Sequence, residues 1–268
     1  MKTESGKVKK VSYLSDLDRK LLDKKFALQF IDRDLLKYIA LVLMTLGHWS
    51  LDIYKNIIPS RSLFKFLVVA EYFAPPVFFF FIAEGFHYTK SKTKYAIRLL
   101  IFAVITQIPY SLTYPGGLTL YNLFLQWNVI MTLFLGLCAL IVMHCEWKLP
   151  LRLLTIAALM AVSWLLNCEW KVSGIMIMLL FALLRQKPLL RFIAYTVFMF
   201  AVDCVMVRNI PALSDYLHYL LPIWIAGVVI TFFYNGKKGH LPLFSKYFFY
   251  VWYPLHLFVQ WLFHIILE

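Results

Sequence analysis

Long apolar segments repeat along almost the whole chain, and this repetition constrains the fold more than any other feature of the sequence. A helix of roughly 20 apolar residues crosses the hydrocarbon core of a bilayer. Within that core only helices and closed barrels satisfy all of their backbone polar groups. Nine such segments are separated by short polar stretches: 35–54, 62–86, 95–113, 122–145, 149–166, 172–185, 188–207, 216–234 and 246–267. We therefore predict an all-α fold, a polytopic transmembrane helix bundle of about nine spans.

Composition supports this fold class and sets the domain organisation. Hydrophobic residues make up 62% of the chain, against roughly 45–50% in soluble domains. The basic N-terminal segment contains no apolar core, so it is not a signal peptide. The short separations leave no room for a second, soluble domain. We predict a cytoplasmic tail over residues 1–34 and a single transmembrane domain over 35–268.

The distribution of positive charge predicts the orientation in the membrane. The net charge is +13, and with a cytoplasmic N-terminus 22 of the 27 Lys and Arg residues fall on the cytoplasmic side, as the positive-inside rule requires. The C-terminus is then extracytoplasmic in a bacterial inner or plasma membrane. Because the basic residues alternate from loop to loop and form no continuous face, we expect the lipid bilayer, and no nucleic acid, as a partner. The four cysteines have no spacing typical of a metal site.

One pair of ionisable residues lies inside the first apolar segment. His48 and Asp52 belong to LLKYIALVLMTLGHWSLDIY, and ionisable groups are costly in hydrocarbon. At i and i+4 they share one helix face, where a carboxylate can hold an imidazole in one orientation. The pair is therefore a candidate for proton transfer. The alternative is that both residues lie at the wet end of a helix and only cap it or reach the interface.

Polar residues of several segments fall at one depth in this topology, toward the outer face. Such side chains turn away from lipid and would line a cavity open to the outside, although a scatter of interfacial polar residues would look the same. The members are His48, Asp52, Glu71, Gln107, Asn128, Glu169, Lys171 and Asp203.

Prolines interrupt two of the segments beside ionisable residues. Pro254 lies two residues before His256 near the middle of the last segment, and Pro75 and Pro76 follow Glu71 by one turn. A proline removes a backbone hydrogen bond and frees a carbonyl. His256 is therefore either a functional residue or a histidine bonded to a freed carbonyl.

Three pieces of the sequence are specific in combination: AEGF, QIPY and YPLHL. With the residues around them, over about 33–265, they resemble the TraX family, whose founding member acetylates the N-terminus of conjugative pilin. The resemblance implies an integral membrane acetyltransferase that moves an acyl group from acetyl-CoA to an amine or hydroxyl of a peptide, pilin or envelope acceptor. A non-catalytic membrane scaffold, or a small transporter of an envelope or secretion system, is the alternative.

The resemblance gives the polar residues candidate catalytic roles. His48 is then the general base or the nucleophile that carries the acetyl group, with Asp52 or Glu71 to orient it. Gln107 and Asn128 are candidate donors to the oxyanion, or else they only bond helix to helix. His256 is a further candidate. Cations that would bind the phosphates of CoA, or that only follow the positive-inside rule, are Lys90, Lys92, Lys94, Arg98, Lys237 and Lys238.

The chain departs from the family pattern at two positions. Family members usually have Asp-His in the first span, and many have an Arg in the second; this chain has Gly47 before His48, and Tyr72. One account is that the Asp and the Arg of the family pattern form an ion pair. Losing both residues together destabilises a protein less than losing either one alone. The other account is lost activity or a changed acceptor.

Overall fold

The structure, a computed structural model, describes residues 29–206, 213–239 and 242–267, together with their side chains except at 203–206, 213–218, 242–247 and 267. Most of the predicted tail over 1–34 lies outside these ranges. The described elements are α1 (Arg33–His48), α2 (Ser50–Asn56), α3 (Arg61–Ala70), a 3-10 turn (Glu71–Phe73), α4 (Ala74–Tyr88), α5 (Lys92–Thr113), α6 (Leu120–Phe124), α7 (Val129–Met143), α8 (Leu149–Leu165), α9 (Lys171–Leu183), α10 (Pro188–Met206), α11 (Leu213–Val228), a π-helical turn (Val229–Phe233) and α12 (Pro242–Leu267).

This element order confirms the all-α fold class for the described residues. Three helical stretches are long and apolar enough to cross a membrane: Arg61–Tyr88, Lys92–Thr113 and Leu120–Met143. Four apolar helices are shorter: Leu149–Leu165, Lys171–Leu183, Pro188–Val202 and Tyr219–Phe233. The chain is therefore a membrane protein, while the count of nine spans and the orientation of the termini stay predictions.

Four of the predicted segments are helices with an internal break. The first divides at Trp49 into α1 and α2, and the second contains the 3-10 turn directly before α4. Pro75 and Pro76 lie in the first turn of α4, the position at which a helix tolerates proline best. The fourth segment divides between α6 and α7, and the eighth ends in the π-helical turn. These breaks place backbone ends and polar side chains inside the bundle.

The core is built from large apolar side chains packed against small residues. Phe79, Leu137, Ile177 and Met178 are fully buried. Gly136 on α7 lies against Met178 of α9, so that a Cβ at position 136 would overlap the methionine side chain. Small residues at such crossings let helices approach closely, which is how helices associate without a hydrophobic driving force in lipid.

The bundle has two ends that differ in chemistry. At the first, which we call the basic end, α1 and α10 begin and α4 and α9 finish. There the segment before α1 pairs with the segment after the π-helical turn: Asn235 N donates to Ile31 O at 2.9 Å, and Arg33 N donates to Lys237 O at 3.0 Å. At the second, which we call the cavity end, α1 finishes and α7 and α9 begin.

Candidate active site

A cavity of about 240 Å³ lies at the cavity end of the bundle. It is enclosed by the last turn of α1, the 3-10 turn with the start of α4, the start of α7, the loop before α9, and the middle of α12. Its lining combines apolar walls with a few convergent polar groups, as ligand sites do. The lining residues are Met44, His48, Glu71, Tyr72, Pro75, Phe78, Val129, Glu169, Trp170 and Tyr253.

Two histidines, predicted separately, form one pair at the edge of this cavity. His48 Nδ1 lies 3.0 Å from His256 Nε2, and the two rings stack with centroids 5.2 Å apart. His256 Nδ1 lies 3.0 Å from the carbonyl oxygen of Trp252, one turn earlier on α12. His256 thus contacts both a backbone carbonyl of its own helix and the candidate catalytic histidine. The carbonyl that Pro254 leaves without a donor is that of Tyr250, four residues before it, so the Trp252 contact is not the one that the proline predicts.

The hydrogen-bond partners determine where the protons lie when both rings are neutral. A carbonyl oxygen only accepts, so His256 Nδ1 carries the hydrogen and donates to Trp252. Nε2 of the same ring is then an acceptor, which requires His48 Nδ1 to carry a hydrogen and donate it. His48 Nε2 is left with a free lone pair. A buried histidine, only 3% exposed, thus orients a second histidine and fixes its tautomer.

Asp52 does not hold the His48 ring in the described structure. Its carboxylate lies 3.5 Å from His264 Nδ1 and accepts a 3.4 Å hydrogen bond from Gln260 Nε2, which also donates to the backbone carbonyl of His48 at 2.6 Å. The irregular turn at Trp49 interrupts the continuous helix on which an i, i+4 contact depends. The buried Asp52 side chain therefore links α2 to α12. Through Gln260 it also supports the backbone of His48.

Gln107 and Asn128 form a buried network whose bonds are internal. Asn128 Nδ2 donates to Gln107 Oε1 at 2.9 Å and to Ala103 O at 2.9 Å, while its Oδ1 caps α7 through the amide of Ile130. Gln107 Nε2 donates to the carbonyl oxygens of Asn122 and Gln126. Neither amide lines the cavity. Their observed contacts match the helix-to-helix alternative.

Glu71 lies beside His48 because the residue before the histidine has no side chain. Its Cβ and carboxylate pack directly over Gly47, so that a Cβ at position 47 would overlap both. The glycine therefore leaves space for a carboxylate supplied by a different helix. Glu71 and Glu169 face the same cavity.

The loop that carries Glu169 is strained and tied in place. Asn167, Trp170 and Lys171 have positive φ angles of 45°, 62° and 37°, a region that non-glycine residues rarely occupy and that clusters at functional sites. Glu169 N donates to Trp127 O at 3.0 Å, and its carbonyl accepts from the Thr132 hydroxyl. The loop thus holds Glu169 and Trp170 against the cavity.

Burial gives the Glu169 carboxyl an unusual pKa. Desolvation raises its pKa from 4.5 to about 7, although Tyr110, the backbone of Val129 and Tyr253 oppose the shift by hydrogen bonding. Such a group is half-protonated near neutral pH, a property that is frequent in catalytic sites.

Tyr253 contributes the remaining polar group of the cavity. Its side chain is 5% exposed. Hydrogen bonding from Tyr253 is among the influences that oppose the rise of the Glu169 pKa, so the phenol and this carboxyl group meet at the cavity wall.

The basic residues predicted to bind a cofactor lie mostly on the surface. Arg98 is partly buried and donates to the Tyr250 hydroxyl at 3.4 Å; Lys92 lies over the Phe86 ring at 4.2 Å. The exposed lysines are Lys90, Lys92, Lys94, Lys237 and Lys238. All belong to the basic end, away from the cavity.

Only His48 and Glu71 of the cavity residues were among the predicted site residues, and the unpredicted ones include Glu169, Trp170 and Tyr253. Glu169 and Lys171 had been placed in the outer polar layer, but nothing in the sequence indicates the positive φ angles that turn the carboxylate inward. Tyr253 lies three residues before His256, which puts both on one helix face; this spacing was the available signal. The side chain of Asp203 lies outside the described residues. In the described part of the chain, no three His, Cys, Asp or Glu side chains are grouped as a metal site requires.

Comparison with known proteins gives one family and two relatives. The family model described as TraX protein matches residues 32–264. The probable fimbrial assembly protein FimC, serogroup H1, of Dichelobacter nodosus is 30% identical over 230 residues, which cover 83% of this chain and 91% of that protein. The uncharacterized protein RP591 of Rickettsia prowazekii (strain Madrid E) is 33% identical over 106 residues, or 40% of this chain and 35% of that protein. No solved structure matches this chain.

Proposed function

Because this chain belongs to the TraX family, we propose that it is a membrane acyltransferase that moves an acetyl group from acetyl-CoA to an amine bound in the cavity. The family assignment confirms the resemblance inferred from the motifs. The name of the fimbrial relative favours a pilin or another envelope peptide as the acceptor. The observation that carries the proposal is the His48–His256 pair at the edge of a cavity that also contains two carboxyl groups.

His48 acts as the general base. The neutral pair leaves His48 Nε2 free to take a proton from the acceptor ammonium or from the attacking amine. The amine nitrogen forms a bond to the acetyl carbon, the bond from that carbon to the CoA sulfur breaks, and the departing thiolate takes a proton. His256 accepts a hydrogen bond from His48 Nδ1 throughout and stabilises the positive charge that develops on the ring.

The cavity chemistry favours an amine over a hydroxyl acceptor. An amine arrives as an ammonium ion at neutral pH, and Glu71 and Glu169 are carboxyl groups that line the cavity with His48. Tyr72, Trp170 and Tyr253 add aromatic faces, which attract cations. The carboxyl groups therefore bind and orient the ammonium ion, and His48 deprotonates it.

Tyr253 is the donor to the oxyanion. Its buried side chain lines the cavity together with His48 and Glu169, and its hydroxyl group can donate to the oxygen of a bound acyl group. A preorganised donor of this kind is worth about 3 kcal/mol of transition-state stabilisation. It takes the role first predicted for Gln107 and Asn128, whose amides are bonded elsewhere.

The test is acetyl transfer by the purified protein in detergent. With acetyl-CoA and a synthetic peptide that carries a free N-terminus, the wild type should release CoA and acetylate the peptide. His48→Ala should abolish transfer and leave a monodisperse protein, because it enlarges a cavity and removes no packed core. An N-terminally blocked peptide is the matched control. No turnover by the wild type, or unchanged turnover by His48→Ala, would contradict the proposed chemistry and leave the scaffold alternative.

A further inference from the structure

A buried arginine at the basic end has no hydrogen-bond partner for one of its nitrogens. Arg191, in the first turn of α10, is 6% exposed, and its Nε is buried and unpaired within the described part of the chain. Its guanidinium lies over the Phe80 ring, 5.0 Å from the centroid. A buried guanidinium nitrogen without an acceptor costs stability, so this position favours an anionic ligand that supplies the acceptor.

The nearby carboxylate is already bound by another cation. Glu84 Oε1 accepts from Arg185 Nε at 2.8 Å, and its Oε2 accepts from Arg185 Nη2 at 3.5 Å. Arg185 also donates to the Tyr88 hydroxyl at 2.6 Å. Both oxygens of the Glu84 carboxylate therefore already accept hydrogen bonds from Arg185. Arg191 is a second guanidinium near this carboxylate.

A second cation lies over the adjacent aromatic ring. Lys37 Nζ is 5.0 Å from the centroid of Phe81, whose ring is 5.3 Å from that of Phe80. Within the described ranges no carboxylate lies within ion-pair distance of Lys37. Tyr234 packs edge-on against both phenylalanine rings at 5.6 Å. Two cations and a phenol therefore surround one aromatic platform.

We propose that Arg191, Lys37 and Tyr234 form a binding site for a phosphate group, which is distinct from the cavity that contains His48. Phosphate suits the donors because guanidinium matches its oxygens in a fork while an ammonium and a phenol supply single bonds. Two ligands have this chemistry: the phosphates of the acyl donor and the headgroup of an acidic phospholipid. The choice of the acyl donor as the ligand of this site rests on the proposed function.

The position of the site suits an extended donor. Lys37 precedes His48 by 11 residues on α1, so the two lie roughly 16 Å apart along the helix axis. A donor whose phosphates are bound at the basic end would therefore point its acyl arm along the bundle toward the cavity. The surface lysines first predicted for this role lack the buried, unsatisfied donor that Arg191 provides.

Binding to the purified full chain in neutral detergent tests the site without any turnover. Isothermal titration measures the affinity for each possible source of the phosphate group. The probes are CoA, inorganic pyrophosphate, and mixed micelles of phosphatidylglycerol or phosphatidylcholine. We expect Arg191→Gln and Lys37→Gln each to weaken binding of the phosphate ligand by about tenfold or more, the scale of one charged hydrogen bond. Arg191→Lys should weaken binding of the phosphate ligand less than Arg191→Gln does, because it keeps the positive charge. Lys148→Gln, an exposed lysine with the same charge change, is the matched control.

The outcomes separate the site from the chemistry. Binding of CoA that depends on Arg191 and Lys37 supports the donor assignment, even if no acetyl transfer is detected. Dependence on these residues for phosphatidylglycerol alone keeps the phosphate site and removes its link to the donor. Unchanged affinity for every phosphate ligand in both Gln variants overturns the proposal, even if acetyl transfer is active. Lys37→Gln keeps the test informative if Arg191→Gln fails to fold.

Discussion

Replacing His256 tests whether one histidine orients the other. His256→Leu removes the acceptor that lies 3.0 Å from His48 Nδ1 and leaves a buried N–H without a partner. This hydrogen bond strengthens as positive charge develops on the His48 ring, so the loss of about 1–3 kcal/mol falls on the transition state. It lowers kcat by about 5- to 150-fold at 1.36 kcal/mol per factor of ten. The loss should be smaller than the roughly ten-thousandfold effect of removing an orienting carboxylate, because the partner here is neutral.

A second substitution separates orientation from packing. In His256→Gln the side-chain carbonyl can accept the hydrogen bond of His48 Nδ1, so most of the lost turnover should return. His144→Gln is the control, since His144 lies at the basic end, where its ring contacts the Leu140 carbonyl and the rings of Phe86 and His87. The assay is initial-rate acetyl transfer to a free-amine peptide at saturating acetyl-CoA.

The comparison of the two His256 variants decides the question. Equal rates in wild type and His256→Leu would refute the orienting role. If His256→Leu and His256→Gln lose the same amount of turnover at unchanged thermal midpoints, the tautomer assignment is refuted. The role of His256 would then depend on its imidazole ring and not on a hydrogen-bond acceptor.

Three further predictions concern the surroundings of the histidine pair. Gly47→Ala should lower the free energy of unfolding by about 1–3 kcal/mol, because the new methyl group overpacks Glu71. Adding Glu71→Gly to the same chain should restore part of that loss. If the stability changes of the two single variants simply add in the double variant, as measured by thermal melts in detergent, the contact is refuted. Asn128→Ala should reduce the thermal midpoint more than it reduces turnover per folded molecule, because it removes a helix cap and the side-chain donor to Gln107 Oε1. A selective loss of turnover would return Asn128 to the oxyanion role. Burial raises the pKa of Glu169 from 4.5 to about 7 in the folded protein. Between these pH values the unfolded chain binds fewer protons than the folded one, so stability falls as pH rises through that window. Glu169→Gln should flatten this part of the stability profile, and parallel profiles for the two proteins would exclude the shift.

The polar layer shows how far depth alone predicts a site. Depth placed His48, Glu71 and Glu169 at one level, and all three line the cavity. It placed Gln107 and Asn128 at the same level, yet these amides bond to each other and to backbone carbonyls. Depth depends on position along a helix, whereas lining a cavity also depends on how each helix is rotated about its axis. Neighbouring helices fix that rotation.

The sequence by itself determined the helical class, the membrane environment and the ionisable residues that hydrocarbon does not tolerate. These follow from properties that are local in the chain: apolar length, proline position and the cost of burying charge. Only the tertiary structure decided that His48 is paired with His256, 208 residues away, and that Gly47 leaves space for Glu71. Both contacts join helices that are distant in sequence, and no periodicity within one segment indicates which face of another segment it will meet.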